Sequence, residues 1–385
     1  MNGQLYQQLG VRRVINAWGN LTPLGGSLMD PRVLEAMADA STWFVDLNDL
    51  LRKAGQRIAD LVGVEAAFIT SGAAAGLAIS TAACIAGRDP VKRARLPDTT
   101  GMKNQVIVHR CQRNVWDQAV RQAGATLVEI GLLHRAEPWE LEAAIDDKTA
   151  AILYFTGHNE EQSLSLEEVV QIAKAHGVPV IVDAAAELPP KDNLHRFNDL
   201  GADLVIFSGG KMLRGPQCTG LILGRGELIE ACAFNASPNF SIGRPMKVGK
   251  EEIAGLVRAV ELFLEHDFDA ELERWERQVA YCLEGLSNLE GVKCRRVLPG
   301  EDPVLPRWVP RVYLTWDEKA LGVSPARVRA ELFSGEPSVA VGEIQHGLSI
   351  NPIALALGEE EIVVRQIAGI WKRHRLSSKS QAAST

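Results

Sequence analysis

A single lysine, Lys211, follows an apolar run and two glycines in V-I-F-S-G-G-K-M-L-R-G-P-Q-C-T-G, residues 205–220. The β-branched and apolar residues predict a short buried strand that ends at Ser208, and the glycines predict a turn. Such a turn would present the lysine amine to a small-molecule site. The alternative is a solvated surface lysine, and this stretch alone does not decide between the two interpretations.

Asp183 favours the interpretation of Lys211 as a residue of a small-molecule site. It closes the run V-P-V-I-V-D-A-A-A and lies 211 − 183 = 28 residues before the lysine. An aspartate at the end of one strand and a lysine after the next is the arrangement that pyridoxal phosphate needs, with a Schiff-base lysine and a carboxylate that keeps the pyridine nitrogen protonated. A turn-capping aspartate would leave this position and spacing to coincidence. We therefore predict Lys211 and Asp183 as catalytic, cofactor-binding residues.

Further polar residues fall where other predicted strands end. The strands are mostly continuous apolar runs that alternate with helical patterns, which is typical of a parallel sheet with helices on both faces. Ligands of such sheets bind beyond the carboxyl ends of the strands. The residues at these ends are Thr70, His109, 156–159 with Asn159, Asp183 and Ser208. Their shared edge predicts one site.

A phosphate site is predicted at T-S-G-A-A-A-G, where a short strand leads into an alanine-rich helix. Backbone N–H groups and the positive end of the helix dipole bind phosphate at such a helix start. We predict Ser71, Gly72 and Ala73 as the cradle of the cofactor phosphate, with Ser208 as a further donor. The alternative is close packing of a helix of small residues.

The lysine segment resembles that of the selenocysteine synthase family, the bacterial L-seryl-tRNA selenium transferases, and of their smaller relatives, which include the D-glucosaminate-6-phosphate ammonia lyases. Similar segments recur at 14–27 (V-I-N-A-W-G-N-L-T-P-L-G-G-S), 70–76 and 243–252 (G-R-P-M-K-V-G-K-E-E), in the same order along most of the chain. The resemblance implies an α/β, aminotransferase-like fold of type I, with a large domain built on a mostly parallel sheet and a smaller C-terminal α/β domain. It also implies a homodimer or a higher homo-oligomer.

Related cofactor-dependent enzymes place a side chain on the pyridine ring at the position of His109, and an imidazole can stack through its flat π-system. His109 is our candidate and Asn114 the fallback, although a lone histidine is more often a structural hydrogen-bonding residue. Ala185 is small enough to let the cofactor approach the backbone. Glu187 is either an acid–base group or a surface residue.

The resemblance also implies which residues contact the substrate. The segment 1–30 is expected over the active site, and the basic residues of 243–252 are expected to hold an anionic group. Lys247 stands where that family tends to carry arginine, so the charge is kept but bidentate geometry is lost. The predicted substrate-binding residues are Asn16, Thr22, Asn159, Arg214, Arg244, Lys247 and, for the α-carboxylate, Arg311.

A chain of 385 residues suits a large domain with a smaller one. The predicted boundaries are an N-terminal active-site segment at 1–30, a large cofactor-binding domain at 31–250, a bridging helical region at 251–289, a small C-terminal domain at 290–375 and a disordered tail at 376–385.

Composition limits the partners. The net charge of −7 gives no electrostatic reason to expect nucleic acid. The six cysteines form no C-x-x-C pair and no metal-ligand spacing with histidine, so we expect no metal and a reducing, cytoplasmic location. No signal sequence and no membrane-spanning apolar run is expected.

The favoured function is an α,β-eliminating ammonia lyase that acts on an amino acid or amino-sugar acid, such as a D-glucosaminate-6-phosphate-like compound, and gives a 2-oxo acid and ammonia. The same α-carbanion allows racemisation, transamination or β-replacement, and the residues do not separate these outcomes. Selenium transfer is less favoured, because the similar segments begin near Val14 and leave no room for a tRNA-binding portion. A non-catalytic binding protein on the same fold is the alternative from another class.

Overall fold

The computed structural model of the chain describes residues 3–157, 159–297 and 308–382. The chain divides into two compact units. Ser27–His266 forms the larger unit. The segment up to Gly26 and the described residues from Asp267 onward form the smaller unit.

The strands of both units are short. They are β1 (Val14–Ala17), β2 (Ala66–Thr70), β3 (Gln105–His109), β4 (Thr126–Ile130), β5 (Thr149–Phe155), β6 (Val180–Asp183), β7 (Leu204–Ser208), β8 (Gly220–Gly224), β9 (Val292–Val297), β10 (Arg311–Trp316), β11 (Ser338–Ile344) and β12 (Gly347–Ile350).

The helices fill the intervals between the strands. They are α1 (Gln4–Gln8), α2 (Pro31–Ser41), α3 (Leu47–Val62), α4 (Ala73–Ala86), α5 (Pro90–Arg95), α6 (Asp117–Gln122), α7 (Pro138–Ala144), α8 (Leu166–His176), α9 (Asn193–Asp199), α10 (Gly226–Asn235), α11 (Lys250–Glu265), α12 (Phe268–Leu286), α13 (Glu318–Leu321), α14 (Pro325–Ser334) and α15 (Glu359–Ala382). Short 3₁₀ turns lie at Thr22–Leu24, Arg110–Gln112, Glu160–Gln162 and Pro352–Ala354.

The larger unit is built on a seven-stranded sheet of order β2-β8-β7-β6-β5-β3-β4. Neighbouring strands from β7 to β4 run parallel, and β8 is antiparallel to both β7 and β2. All seven residues of β5 are buried, as expected for a strand covered by helices on both faces. This sheet confirms the predicted α/β class with a mostly parallel sheet.

The sequence fixes where several of these helices begin. Asp30 accepts a hydrogen bond from the backbone N–H of Arg32 at the start of α2, and Ser165 and Glu168 form a capping box at the start of α8. The alanine-rich α4 is buried over most of its length, because its small side chains allow close packing against β7 and β8.

The smaller unit contains a five-stranded sheet of order β1-β11-β12-β10-β9, in which only the β1–β11 pair is parallel. Helices α12, α14 and α15 pack with this sheet. Trp316 and Trp371 meet edge to face in its core, with ring centroids 5.2 Å apart.

The observed division differs from the predicted boundaries. Strand β1 of the predicted N-terminal active-site segment joins the sheet of the smaller unit. The region 251–289 was expected to bridge the domains as one element, but α11 belongs to the larger unit and α12 to the smaller one. Helix α15 continues to Ala382, so the tail expected to be disordered from 376 is helical up to that residue. Residues 383–385 lie outside the described part.

No helix in the described ranges has both the length and the apolar character needed to cross a bilayer.

Candidate active site

The lysine loop follows β7. The Gly209 N–H donates to the Thr219 carbonyl oxygen at 2.9 Å, and the Gly215 N–H donates to the Gly209 carbonyl oxygen at 2.9 Å, so the loop folds back on its own start. Lys211 is partly buried at its tip. Burial lowers the pKa of the Lys211 amine, because the charged form loses hydration, whereas the carboxylates of Asp183 and Glu187 act in the opposite direction.

Asp183 ends β6 near the middle of the sheet, and only 8% of its surface is exposed. Its carboxylate accepts a hydrogen bond from the Ala185 N–H at 3.0 Å. Its carbonyl oxygen accepts from the Thr156 hydroxyl at 2.8 Å. Burial raises the pKa of the Asp183 carboxyl, and the Ala185 N–H and the charge of Lys211 oppose that rise.

The sheet register aligns three strand ends. Phe155 at the end of β5 pairs with Asp183, and Asp183 pairs in turn with Ile206 of β7. The strand that carries the carboxylate therefore lies between the strand that leads to Gly157 and the strand that leads to Lys211.

The start of α4 lies at the same edge of the sheet. Gly220 pairs with Thr70 on one side and with Ser208 on the other. A side chain on Gly220 would clash with the backbone of Gly72, so the glycine permits the turn before α4 to approach the sheet closely. The first helical hydrogen bond runs from the Gly76 N–H to the Gly72 carbonyl oxygen. The N–H groups of residues 73–75 thus precede the helical bonding pattern, as is usual at a helix start.

Glu187 follows Asp183 in a tight turn, with its N–H donating to the Ala184 carbonyl oxygen at 3.1 Å. Its carboxylate lies against Gly157, where an added Cβ would come within 2.5 Å of Oε1 of Glu187. The sequence alone does not decide whether Glu187 is an acid–base group or a surface residue. The structure places its carboxylate at the backbone of the strand end beside Asp183.

The interpretation of His109 as a ring-stacking residue is not supported. His109 is completely buried. Its ring lies edge-on to the ring of Tyr154, with the two ring centroids 5.9 Å apart, and its Nε2 accepts a hydrogen bond from the Leu164 N–H at 3.4 Å. No face of the imidazole is open to a cofactor. Burial lowers the pKa of His109 to about 4, so the ring is neutral at pH 7. The fallback Asn114 is partly exposed, and its Oδ1 accepts from the Trp116 N–H near the start of α6.

Gln112 is a positioning residue that sequence reasoning missed. Its Oε1 accepts from the Phe155 N–H at 3.2 Å, and its Nε2 donates to the Ser163 hydroxyl at 3.2 Å. The predicted substrate contact Asn159 is exposed, with a left-handed φ of 50° and its amide donating to the Cys111 carbonyl oxygen at 2.6 Å. The Gln112–Ser163 and Asn159–Cys111 bonds tie the loop after β3 to the loop after β5. No spacing in the sequence marks a glutamine for this role.

The predicted anion-binding residues of the larger unit lie on irregular backbone. Arg214 adopts a φ of 53° just after Lys211. The segment between α10 and α11 is held by Asn235, whose carbonyl oxygen accepts from the Ser241 hydroxyl and the Gly243 N–H. In this segment Arg244 is partly buried and Lys247 is exposed.

The other three predicted contacts belong to the smaller unit. Asn16 uses its side-chain amide locally, accepting from the N–H groups of Trp18 and Gly19 and donating to the Gly19 carbonyl oxygen. Thr22 is exposed at the start of a 3₁₀ turn. Arg311 lies within β10 and is only 2% exposed, and its assignment to a substrate carboxylate stays a prediction.

Together, the larger unit presents a partly buried amine, a buried carboxylate and a helix start beside a serine. These groups match the three recognition elements of pyridoxal phosphate, namely its aldehyde, its ring nitrogen and its phosphate. Within the described residues, no group of three or more His, Cys, Asp or Glu side chains is placed to hold a metal ion.

The comparison with protein families agrees with this donor set. The model of the family described as Aminotransferase class-V matches residues 36–303. The chain belongs to this family.

Two curated relatives match nearly the whole chain. A 5'-C-glycyluridine monooxygenase-decarboxylase from a Streptomyces species is 36% identical over 384 residues, covering 96% of this chain and 92% of the relative. A D-glucosaminate-6-phosphate ammonia lyase from Salmonella typhimurium is 35% identical over 379 residues, covering 96% and 98%. A solved structure of D-glucosaminate-6-phosphate ammonia-lyase superimposes with a TM-score of 0.83 at 34% identity, covering 97% of this chain and 100% of that one. The predicted type I fold and the resemblance to the ammonia lyase branch are confirmed.

Proposed function

We propose that this protein is a pyridoxal 5'-phosphate-dependent α,β-eliminating ammonia lyase that acts on an amino-sugar acid, with D-glucosaminate 6-phosphate as the most concrete substrate. The observation that carries the proposal is the Lys211–Asp183 pair at one edge of the sheet, in a chain that resembles such a lyase along nearly all of its length.

The groups at the strand ends are assigned to the cofactor as follows. Pyridoxal phosphate, when bound, supplies an aldehyde that captures amines and a ring that withdraws electrons from the α-carbon of the substrate. Lys211 would bind the aldehyde, Asp183 would keep the ring nitrogen protonated, and the small side chain of Ala185 would leave room for the cofactor. Ser71, Gly72, Ala73 and Ser208 would hold the phosphate.

Lys211 also serves as the base. Its lowered pKa favours the neutral amine, which can accept the α-proton of a bound substrate. D-glucosaminate carries a hydroxyl group on the carbon next to the one that bears the amine. Loss of the α-proton and of this hydroxyl as water leaves an unsaturated amine, which adds water to give a 2-oxo acid and ammonia. The net reaction needs no oxidant or reductant.

Substrate recognition is assigned to the polar and basic residues predicted from the sequence. Arg244 and Lys247 are proposed to hold the phosphate of the substrate, and the single ammonium of Lys247 makes this contact less directional than an arginine would. Asn16, Thr22 and Asn159 are proposed as contacts to the sugar-acid chain. Arg214 is proposed as a second cation near the lysine loop.

A second candidate reaction is release of the carboxylate from an amino-acid substrate. This reaction is a candidate because the chain is 36% identical to a relative named as a monooxygenase-decarboxylase, nearly the same identity as to the ammonia lyase. Racemisation and β-replacement start from the same loss of the α-proton. The four reactions differ in their products, which makes them separable in one experiment.

The test is to incubate the cofactor-loaded protein with D-glucosaminate 6-phosphate, D-glucosaminate and a panel of L- and D-amino acids. Ammonia, 2-oxo acid, carbon dioxide and oxygen uptake are measured in parallel. Equal amounts of ammonia and 2-oxo acid from the amino-sugar acid would support the lyase. Release of carbon dioxide with oxygen uptake would favour the second candidate. Inversion of the substrate's α-carbon without release of ammonia or carbon dioxide would favour a racemase.

We also propose that the protein works as a homodimer or higher homo-oligomer in the cytoplasm. All six cysteines are free thiols, which suits a reducing compartment. Light scattering of the purified protein tests the assembly, and a monomer that is fully active would contradict it.

A further inference from the structure

We propose that Glu187 is a catalytic residue that gives a proton to the leaving β-hydroxyl group, and that it works with Lys211 as a pair on either side of the Asp183 strand. This inference rests on the proposed lyase function and extends it to the second half of the elimination.

The first support is the position of the carboxylate. The register of the sheet places β6 between β5 and β7. The Glu187 carboxylate lies at Gly157, two residues beyond the end of β5, whereas Lys211 lies three residues beyond the end of β7. An acid and an amine therefore flank the strand that carries Asp183, at the edge where ligands of such sheets bind.

The second support is that the local structure fixes the backbone that carries this carboxylate. The Glu187 N–H donates to the Ala184 carbonyl oxygen, and the Glu187 carbonyl oxygen accepts from the side-chain amide of Asn193 at 2.6 Å. The carboxylate fills the space beside Gly157, whose φ of 75° disfavours any other residue. A side chain at 157 would displace Oε1 of Glu187.

The third support is electrostatic. The negative charge of Glu187 reaches the Lys211 amine, because it is one of two carboxylates that raise the pKa of this amine against the effect of burial. The other is Asp183, which is assigned to the ring nitrogen. When Lys211 has taken the α-proton, Glu187 is thus the carboxylate left to receive it.

The chemistry then balances. The α-carbon–hydrogen bond breaks and its proton goes to the Lys211 amine. The electron pair left on the α-carbon forms the α,β double bond as the β-carbon–oxygen bond breaks. The oxygen keeps the electron pair of that bond, and the proton of Glu187 converts the leaving hydroxide to water. Transfer of the extra proton from Lys211 to the Glu187 carboxylate restores both groups. A hydroxyl group is a poor leaving group without such a donor, whereas removal of the α-proton alone does not need one.

The test separates the two halves of the reaction with the isosteric variant Glu187→Gln. Cofactor-loaded protein is mixed with D-glucosaminate 6-phosphate in D₂O, and α-deuteration of recovered substrate is measured beside the formation of 2-oxo acid. We expect the variant to lose elimination by about 10²–10⁴-fold while α-deuteration continues. Glu187→Asp, which keeps an acid at a shorter reach, is expected to recover part of the loss.

The matched control is Glu160→Gln. Glu160 also has its carboxylate at Gly157, where Oε1 accepts the Gly157 N–H at 2.8 Å, and a glutamine oxygen can accept the same bond. This control is expected to keep the wild-type ratio of elimination to exchange. Equal elimination by Glu187→Gln and the wild type would overturn the inference, as would a parallel loss of exchange and elimination.

A measurement on the cofactor-free protein gives an independent readout. Limited reductive methylation, followed across pH by mass spectrometry of the Lys211 peptide, reports the pKa of its amine. We expect a lower pKa in Glu187→Gln than in Glu160→Gln or the wild type, and an unchanged pKa would contradict the pairing. If the wild type carries cofactor on Lys211 but eliminates no substrate, the proposed function fails. If only the comparison of variants fails, the inference about Glu187 fails alone.

Discussion

The carboxylate of Asp183 raises the pKa of the Lys211 amine, while burial lowers it. Burial also raises the pKa of Asp183. Burial therefore favours the neutral form of each group, whereas the charge of each group stabilises the charged form of the other. A pair of this kind at the carboxyl edge of a parallel sheet is poised to bind a ligand that carries an electrophile and a basic ring nitrogen.

The variant Asp183→Asn tests the carboxylate. In the loaded enzyme we expect turnover to fall by about 10²–10³-fold, because a neutral amide cannot stabilise charge that develops at the ring nitrogen. Cofactor absorbance and elimination rate are the measurements. Turnover within a few-fold of the wild type would remove the assigned role.

The same variant changes the pH dependence of the cofactor-free protein. The folded state raises the pKa of Asp183, so it holds this proton more tightly than the unfolded chain does. The contribution of Asp183 to stability therefore falls as pH rises from the ordinary pKa of 3.8 through the folded value. Denaturant titrations above pH 4 should show this decline in the wild type and a smaller one in Asp183→Asn. Parallel curves would contradict the prediction.

The variant His109→Gln tests the buried histidine. The pKa of His109 falls from an ordinary 6.5 to about 4, which corresponds to about 3 kcal/mol of stability lost by the wild type as pH drops between these values. The unfolded chain takes up the proton at the higher pH, whereas the folded protein resists it. Glutamine cannot titrate, and its amide oxygen can still accept from the Leu164 N–H.

We expect His109→Gln to be less sensitive to acid and to bind pyridoxal phosphate as the wild type does. Free energies of unfolding at pH 7 and pH 4.5, with a cofactor titration at pH 7, check both points. A large loss of cofactor affinity would restore the stacking interpretation.

The variant Gly220→Ala tests the close approach of α4 to the sheet. The added methyl group meets the backbone of Gly72, so we expect about 1–3 kcal/mol of destabilisation. Displacement of the helix start should also weaken pyridoxal phosphate binding by roughly 10–100-fold through the loss of a charge-assisted hydrogen bond. Gly226→Ala is the control, because the three atoms nearest to its methyl group belong to the exposed side chain of Glu65 and not to the backbone. Equal cofactor affinity of the two variants would contradict the phosphate assignment.

The variant Arg244→Gln tests the substrate anion. Loss of one charged partner should raise the KM for D-glucosaminate 6-phosphate by roughly 10–100-fold. The KM for unphosphorylated D-glucosaminate is expected to change little, and this difference is the internal control. An equal change in KM for both compounds would indicate that Arg244 contacts a part of the substrate other than its phosphate.

The candidate site residues that lie together at one edge of the sheet share a local cause. Lys211, Asp183 and the helix start at Gly72 each follow an apolar run, and parallel strands bring such ends to one edge of a sheet whatever their distance along the chain. The fold class followed from the same alternation of strands and helices.

The parts that the sequence did not predict depend on packing. His109 ends a strand as Asp183 does, but its side chain is enclosed beside Tyr154, and a strand pattern does not reveal what covers a side chain. The role of Gln112 arises from a contact with Phe155, 155 − 112 = 43 residues away, which no local pattern encodes.

The most direct test of the account is reduction of the protein with borohydride in the presence of pyridoxal phosphate, followed by peptide mapping of the wild type and of Lys211→Ala. We expect one phosphopyridoxyl group per chain, on the peptide that contains Lys211, and neither label nor turnover in the variant. A label on another lysine, or turnover by Lys211→Ala, would contradict it.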